Sequence, residues 1–363
     1  MRRLIAALLL GLLAACGGGS SGGGGGNGGG GNGQGPSAPP TPAEAARLLT
    51  QATFGPTDAS IQQVQSQGIN GWITAQLSMP LGTSHREYVD AAIAANGGAD
   101  AENFYETWWR QAISNQDQLR QRVAFAYSQI FVISLNDPNI DVRGAASYYD
   151  MLERNAFGNF RTLLNDVTLH PMMGRYLTFL ANQKEDDDGA RTPDENYARE
   201  VMQLMTIGLV ELNNDGTPRL DGGQTIPTYT TADIGGLAKV FTGLSWYNPS
   251  PTNNTFFGGN EHDDRSVTPM IFYPNFHSTS TKAFLGTTIA ASATVDGPGD
   301  LNTALNALFN HANVGPFISH RLIQQMVTSN PSPAYVNRVA TVFNNNGAGV
   351  RGDMAAVIRA ILT

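Results

Sequence analysis

Thr41-Pro42-Ala43-Glu44 opens the folded part of this chain. A Thr hydroxyl at the N-cap, Pro at the first helical position and Glu at the third together satisfy the free amides of a first helical turn. The same device is read at Thr192-Pro193-Asp194-Glu195, in looser form at Thr230 and Thr231 with Asp233, and again at Ser332-Pro333. Between these starts lie runs with helical apolar periodicity: residues 104–133, 145–157, 160–169, 172–180, 197–209 and four segments from residue 301 to the end. The spacing predicts a mainly α fold, a multi-helix bundle. Its exception is an irregular, partly β loop region between residues 212 and 295, where Asp215-Gly216 and Asp221-Gly222 supply turns and a short hairpin.

Trp108, Trp109, Phe125 and Phe131, on what reads as the longest helix, are core candidates. At the other end, Met354, Val357, Ile358, Ile361 and Leu362 form an apolar stripe that reaches the last residue without Gly or Pro. That pattern leads us to expect a domain over 41–363 that is truncated at its C-terminus.

Upstream, Arg2 and Arg3 precede an apolar run over 4–13 that is too short to span a bilayer, and Leu13-Ala14-Ala15-Cys16 follows. Residues 1–15 read as an export signal. Because the cleavage site ends in the chain's single cysteine, it resembles a bacterial lipoprotein signal, with Cys16 as the acylated N-terminus. Two or three acyl chains anchor stably where one does not. Gly17 rather than Asp after the cysteine resembles the outer-membrane default. Residues 16–40 are a Gly-rich tether, with too little apolar surface to fold.

Loss of Arg2 and Arg3 moves the formal charge from −8 to −10. An acidic surface repels nucleic acid and anionic headgroups, so nucleic acid is not expected as a partner and membrane contact should come through the lipid. With its thiol acylated the chain has no disulfide, and stability must come from packing, for which 41% hydrophobic content suffices.

After Thr192, a 100° step gathers Glu195, Asn196, Arg199, Glu200 and Gln203 on one helix face. A capping box and an i,i+4 ion pair explain that face without function. The functional reading makes Glu200, Arg199 and Asn196 candidate catalytic residues in a polar cleft. Glu261-His262-Asp263-Asp264, with His277 beyond, supplies oxygen and imidazole donors inside the irregular segment. His277, His262, Asp263 and Asp264 are therefore candidate ligands for one divalent metal ion, although their spacing matches no closed metal motif. His170 and His311 read as helix-end imidazoles, and Arg351-Gly352-Asp353 as a turn and cap.

Asn196-Tyr197-Ala198-Arg199-Glu200, Leu204, Gly208, Tyr229-Thr230 with Asp233, and Phe241-Thr242-Gly243 form an ordered series. It extends back to Arg47-Leu48-Leu49-Thr50-Gln51-Ala52-Thr53-Phe54-Gly55, Gln118-Leu119-Arg120 and Arg122-Val123-Ala124-Phe125, and forward to Asn330-Pro331 and Arg351-Gly352-Asp353. The series resembles the bacterial domain-of-unknown-function 1800 family over nearly the whole folded region. The resemblance implies an exported, mostly helical protein and carries no established reaction. His277, Lys282 and Leu285-Gly286 match a further block of that family. Leu244 follows Phe-Thr-Gly where relatives place Trp, Gln129 stands where many have His, and His311-Ala312 replaces His-Pro.

These readings lead to a lipid-anchored cell-envelope protein in which the polar helix from residue 195 and the loop from residue 246 face one cleft. The leading expectation is a non-enzymatic binding or assembly factor with an envelope protein or polymer as partner, because no nucleophile–base pair is assembled by the sequence. The alternative is a metal-assisted hydrolase of an extracytoplasmic polymer, with His277 as ligand and Glu200 as base. A third is a carbohydrate binder that stacks sugars on Trp246 and Tyr247.

Overall fold

Side-chain caps set most of the helix starts in a computed structural model that describes residues 38–186 and 188–363. The expected signal peptide, Cys16 and most of the expected tether lie outside the described residues. Helices α1 (Pro42–Ala52), α2 (Asp58–Ser78), α3 (His85–Asn96), α4 (Ala101–Ser114), α5 (Gln118–Ser128), α6 (Val142–Arg154), α7 (Phe160–Leu169) and α8 (Pro171–Tyr176) come first. Along the irregular middle lie α9 (Asn196–Gln203), α10 (Thr231–Val240) and α11 (Asn253–Phe256). Helices α12 (Gly297–Asn310), α13 (Val314–Met326), α14 (Pro333–Asn344) and α15 (Met354–Leu362) close the chain.

The capping box at Thr41 is formed: Glu44 N–H donates to the Thr41 hydroxyl at 3.3 Å and Thr41 N–H to the Glu44 carboxylate at 2.8 Å. Thr230 with Asp233 makes a second box, Ser332 caps α14 and Asp353 caps α15. At Thr192 the expectation fails. Helix α9 starts four residues later, behind Glu195, which makes no side-chain cap. The reason is that Asp194 N–H donates to Asn182 Oδ1 at 2.9 Å, while Thr178 donates to its carboxylate at 2.9 Å, and these bonds tie Asp194 to a distant segment instead of to a first helical turn.

The 104–133 run is two helices, broken at Asn115-Gln116-Asp117. The α2 span is likewise two helical segments that meet at Gly68, whose φ of 72° and ψ of 159° are not helical, so α4 and α12, at 14 residues each, are the longest unbroken helices among the described residues. Trp109 is 58% exposed and leaves the core, whereas Phe131 is fully buried.

Three antiparallel strand pairs complete the mainly α fold: β1 (Leu220–Asp221) with β2 (Gln224–Thr225), β3 (Leu244–Ser245) with β4 (Ile271–Phe272), and β5 (Lys282–Phe284) with β6 (Thr287–Ile289). Gly222 and Gly223, both at positive φ, form the two-residue turn between β1 and β2. One apolar core runs from Ala45 and Leu48 in α1 through α5, α7, α10 and α13 to Ile361 in α15, so the first and last helices meet. Pro39–Thr363 pack as one unit. Among the described residues no helix is long and apolar enough to cross a membrane.

Candidate functional site

Helix α9 buries Tyr197, Ala198, Val201 and Met202 and leaves Arg199 and Glu200 half-buried. Arg199 lies 3.4 Å from Glu195, the i,i+4 pair expected of a helix surface. The Asn196 amide donates to the Thr178 hydroxyl at 3.3 Å, and Tyr229 donates to Gln203 Oε1 at 3.2 Å. No hydrogen bond or ion pair among the described residues joins Arg199 or Glu200 to His277.

His277 belongs to a different constellation. Its ring is fully buried, with Nδ1 2.7 Å from the Thr242 carbonyl and Nε2 3.0 Å from Asp300 Oδ2. The same carboxylate oxygen lies 2.8 Å from Lys282 Nζ, which also donates to the Ser278 carbonyl at 2.7 Å. Both ring nitrogens face oxygen acceptors, so a metal could reach neither without displacing a partner. One residue on, the Ser278 hydroxyl donates to Glu185 Oε1 at 2.9 Å, and Ser280 donates to the same oxygen. Lys239 on α10 donates to Ser280 at 2.9 Å and lies 3.7 Å from Glu185. Burial raises the Glu185 pKa, but hydrogen bonds from Ser280, its own backbone and Ser278, with the Lys239 charge, outweigh it and hold the carboxyl below its ordinary range. A carboxylate held low is a poor proton acceptor at neutral pH, so Ser280 is bound there rather than activated.

The irregular segment that leads to Glu185 is strained. Thr178 and Ala181 take φ of 62° and 60°, conformations that cost about 1–3 kcal/mol each and persist only where neighbours fix them. Here Ala181 N–H donates to the Leu244 carbonyl and Lys184 N–H to the Phe276 carbonyl, both at 2.9 Å. This segment therefore runs from the N-terminus of α9 to the His277 loop.

His262, Asp263 and Asp264 do not converge with His277 into a metal site. Asp264 is taken by Arg143 at 2.7 Å and by Arg86 at 3.6 Å, and the Arg143 hydrogen bond holds its carboxyl below the usual range. Asp263 offers Arg143 its backbone carbonyl, and His262 Nδ1 accepts the Asp264 N–H at 3.2 Å. Trp246 is only 6% exposed and is covered by the guanidinium groups of Arg175 and Arg265 at 4.8 and 4.7 Å, so it offers no stacking surface to a sugar.

The His and carboxylate donors that do gather among the described residues are His85, Asp150 and Glu153, with ligand atoms within 4.8 Å of one another. The Gln111 amide donates to His85 Nδ1 at 3.0 Å, and Nε2 lies 2.8 Å from Glu153 Oε1 without the angles of a hydrogen bond. Asp150 accepts from the amides of His85 and Arg86 at 2.7 and 3.0 Å and from the Ser84 hydroxyl at 2.6 Å. A carboxylate of α6 thus caps the free first turn of α3, and burial raises the Glu153 pKa despite the His85 contact. The trio is a buried clamp between two helices, in which Asp150 is fully bonded.

An open cleft of about 430 Å³ lies elsewhere, between α1, the start of α2 and the α4–α5 junction. Amides and hydroxyls line it, including Ser60, Gln63, Ser114, Asn115, Gln116 and Gln118, and among the described residues no charged one does. Its floor includes Trp72, and Ile113 stands at its rim, 77% exposed.

A family model described as "Protein of unknown function (DUF1800)" matches residues 47–363. The chain belongs to this family. No curated protein and no solved structure matches the chain significantly. Within this DUF1800 chain, the Arg47-to-Gly55 and Gln118-to-Arg120 motifs meet around the uncharged cleft, while His277 and Lys282 build the Asp300 constellation and Leu285 N–H bonds to Asp233. Sequence reasoning missed Asp300, the His85 clamp and the cleft. The available signal was Asp150 and Glu153, two acids three apart on a helix whose neighbours Tyr148, Met151 and Leu152 are core residues.

Proposed function

We propose that this protein is a non-enzymatic binding factor of the bacterial cell envelope, anchored by lipid on Cys16 and destined for the outer membrane. The observation that carries this reading is a contrast. The charged residues that suggest chemistry are closed on one another, as in Asp300 with His277 and Lys282, while the open cleft carries uncharged polar groups suited to holding a ligand. A general base needs a reachable substrate proton, and a metal needs free lone pairs. His277 offers neither.

Incubation of the full chain and of Cys16→Ser with delipidated envelope material, with and without added zinc, tests the proposal. The expected result is that Cys16→Ser leaves the salt-washed membrane fraction, that both forms co-sediment with the delipidated material, and that no soluble fragment is released. Release of fragments that Glu200→Gln or His277→Ala abolishes would establish the metal-assisted hydrolase instead. Absence of co-sedimentation would also overturn the proposal.

A further inference from the structure

Helix α4 carries an apolar stripe that nothing among the described residues covers. Tyr105, Trp109 and Ile113 follow one another at i, i+4 and i+8 and are 48, 58 and 77% exposed. Phe54, 37% exposed, joins them through Trp108, on which its ring sits edge-on at 5.5 Å, while Trp109 meets Trp108 at 4.8 Å. Ile113 ends the stripe at the rim of the uncharged cleft, so aromatic surface and amide-lined hollow are continuous.

The cleft holds unused hydrogen-bonding capacity. Neither the Gln63 nor the Gln116 side chain bonds to any described residue, and both are exposed. Trp72 is 2% exposed and lines the cleft, and its indole N–H bonds to no described residue and is open to solvent rather than buried. By contrast Gln76 is fully used, with its amide on the Gln116 carbonyl at 3.0 Å and its oxygen on Leu119 N–H at 3.0 Å, which fixes the wall.

We infer that this surface binds an uncharged glycan chain, with sugar rings against Trp109 and the Phe54 edge and sugar hydroxyls in the cleft. The inference deepens the binding-factor reading and rests on it. A carboxamide donates and accepts at once, as a sugar hydroxyl does, so a row of amides suits a polyol. The flat C–H faces of sugar rings suit aromatic surface. An anionic polymer would find no Lys or Arg in the lining, and the chain carries a formal charge of −8. An apolar peptide would leave Gln63, Gln116 and the Trp72 donor unpaired.

Native electrophoresis of the detergent-solubilised full chain through gels containing dextran, laminarin, mannan or, as the anionic control, alginate tests the inference. The expected result is retardation by at least one neutral glycan and none by alginate. Trp109→Ala and the double variant Gln63→Ala/Gln116→Ala, all at exposed positions, should each weaken that binding about tenfold or more while circular dichroism stays unchanged. Retardation by no neutral glycan, equal retardation by alginate, or full binding by the variants overturns it. A chain that still co-sediments with envelope material but ignores all four polymers would sink the glycan inference alone. Release of soluble sugar would sink the non-enzymatic reading and leave the ligand class standing.

Discussion

Asp300 Oδ2 lies 3.0 Å from His277 Nε2 and 2.8 Å from Lys282 Nζ, so one oxygen on α12 holds both the loop between β4 and β5 and the first residue of β5. Lys282 is nearly fully buried and its other contacts are backbone carbonyls. Removing one partner of such a pair leaves an uncompensated charge, which costs about 3–5 kcal/mol. Asp300→Ala should therefore lower unfolding stability by that amount in urea denaturation, and adding Lys282→Met should recover part of it. A loss below about 1 kcal/mol for Asp300→Ala would mean that water replaces the carboxylate.

The two Thr-led starts give opposite expectations. Thr230 closes a capping box with Asp233, whose other oxygen accepts Leu285 N–H at 2.7 Å, so Thr230→Ala should cost about 0.5–2 kcal/mol. Thr192 is exposed and caps nothing, and Thr192→Ala should change thermal stability by no more than about 0.5 kcal/mol. Equal losses in both variants would contradict the observed start of α9.

This pair of threonines also shows how far the sequence could be read. Local signals, caps and apolar periodicity placed α1, α7, α10 and the last four helices, because each depends on residues within a few positions. Thr192-Pro193-Asp194-Glu195 carries the same local signal, but a distant residue, Asn182, takes Asp194 first. Helix α2 was missed because its glutamines and serines weaken the apolar face that periodicity detects, while Val64, Trp72 and Ile73 still anchor it. The candidate site was half legible. His277 and Lys282 could be chosen from the family block, but their common partner Asp300 lies in a helix with no motif, and only the fold joins them.

Adjacent glycines on α10 separate packing from propensity. A Cβ at Gly236 would run into the backbone of Ala283 in β5, whereas one at Gly235 meets only Glu195 Oε1 at 3.5 Å. Gly236→Ala should force β5 away and cost about 1–3 kcal/mol. Gly235→Ala should be neutral or stabilise by up to about 1 kcal/mol, since Ala is the better helix former. Thermal unfolding of the two variants decides this, and a stable Gly236→Ala protein would disprove the close approach.

His170 should make the protein acid-sensitive. Burial, aided by the Arg154 charge, lowers its pKa to about 3, and its Nδ1 accepts Met172 N–H at 3.2 Å to cap α8. The folded state keeps the ring neutral, while the unfolded chain takes up a proton below about pH 6.5. Its contribution is therefore complete above pH 6.5 and is lost as pH falls toward 3, at up to about 1.4 kcal/mol per unit. In urea titrations across that range, His170→Asn, which retains a capping oxygen, should show a shallower fall. An unchanged slope would place the acid sensitivity elsewhere.

Double-mutant cycles distinguish one shared site from two separate ones. His277 and Lys282 share Asp300 Oδ2, whereas Glu200 sits on the α9 face beside Arg199 and Tyr229 and has no partner in common with His277. Residues in one network couple by about 0.5–3 kcal/mol, and residues without shared partners add within about 0.3–0.5 kcal/mol. The cycle His277→Ala with Lys282→Met should therefore couple, and the cycle His277→Ala with Glu200→Gln should add, when both are read by urea unfolding with and without zinc. Coupling of Glu200 to His277 that appears only when zinc is present would bring the two onto one metal-dependent site and favour the hydrolase over the binding factor.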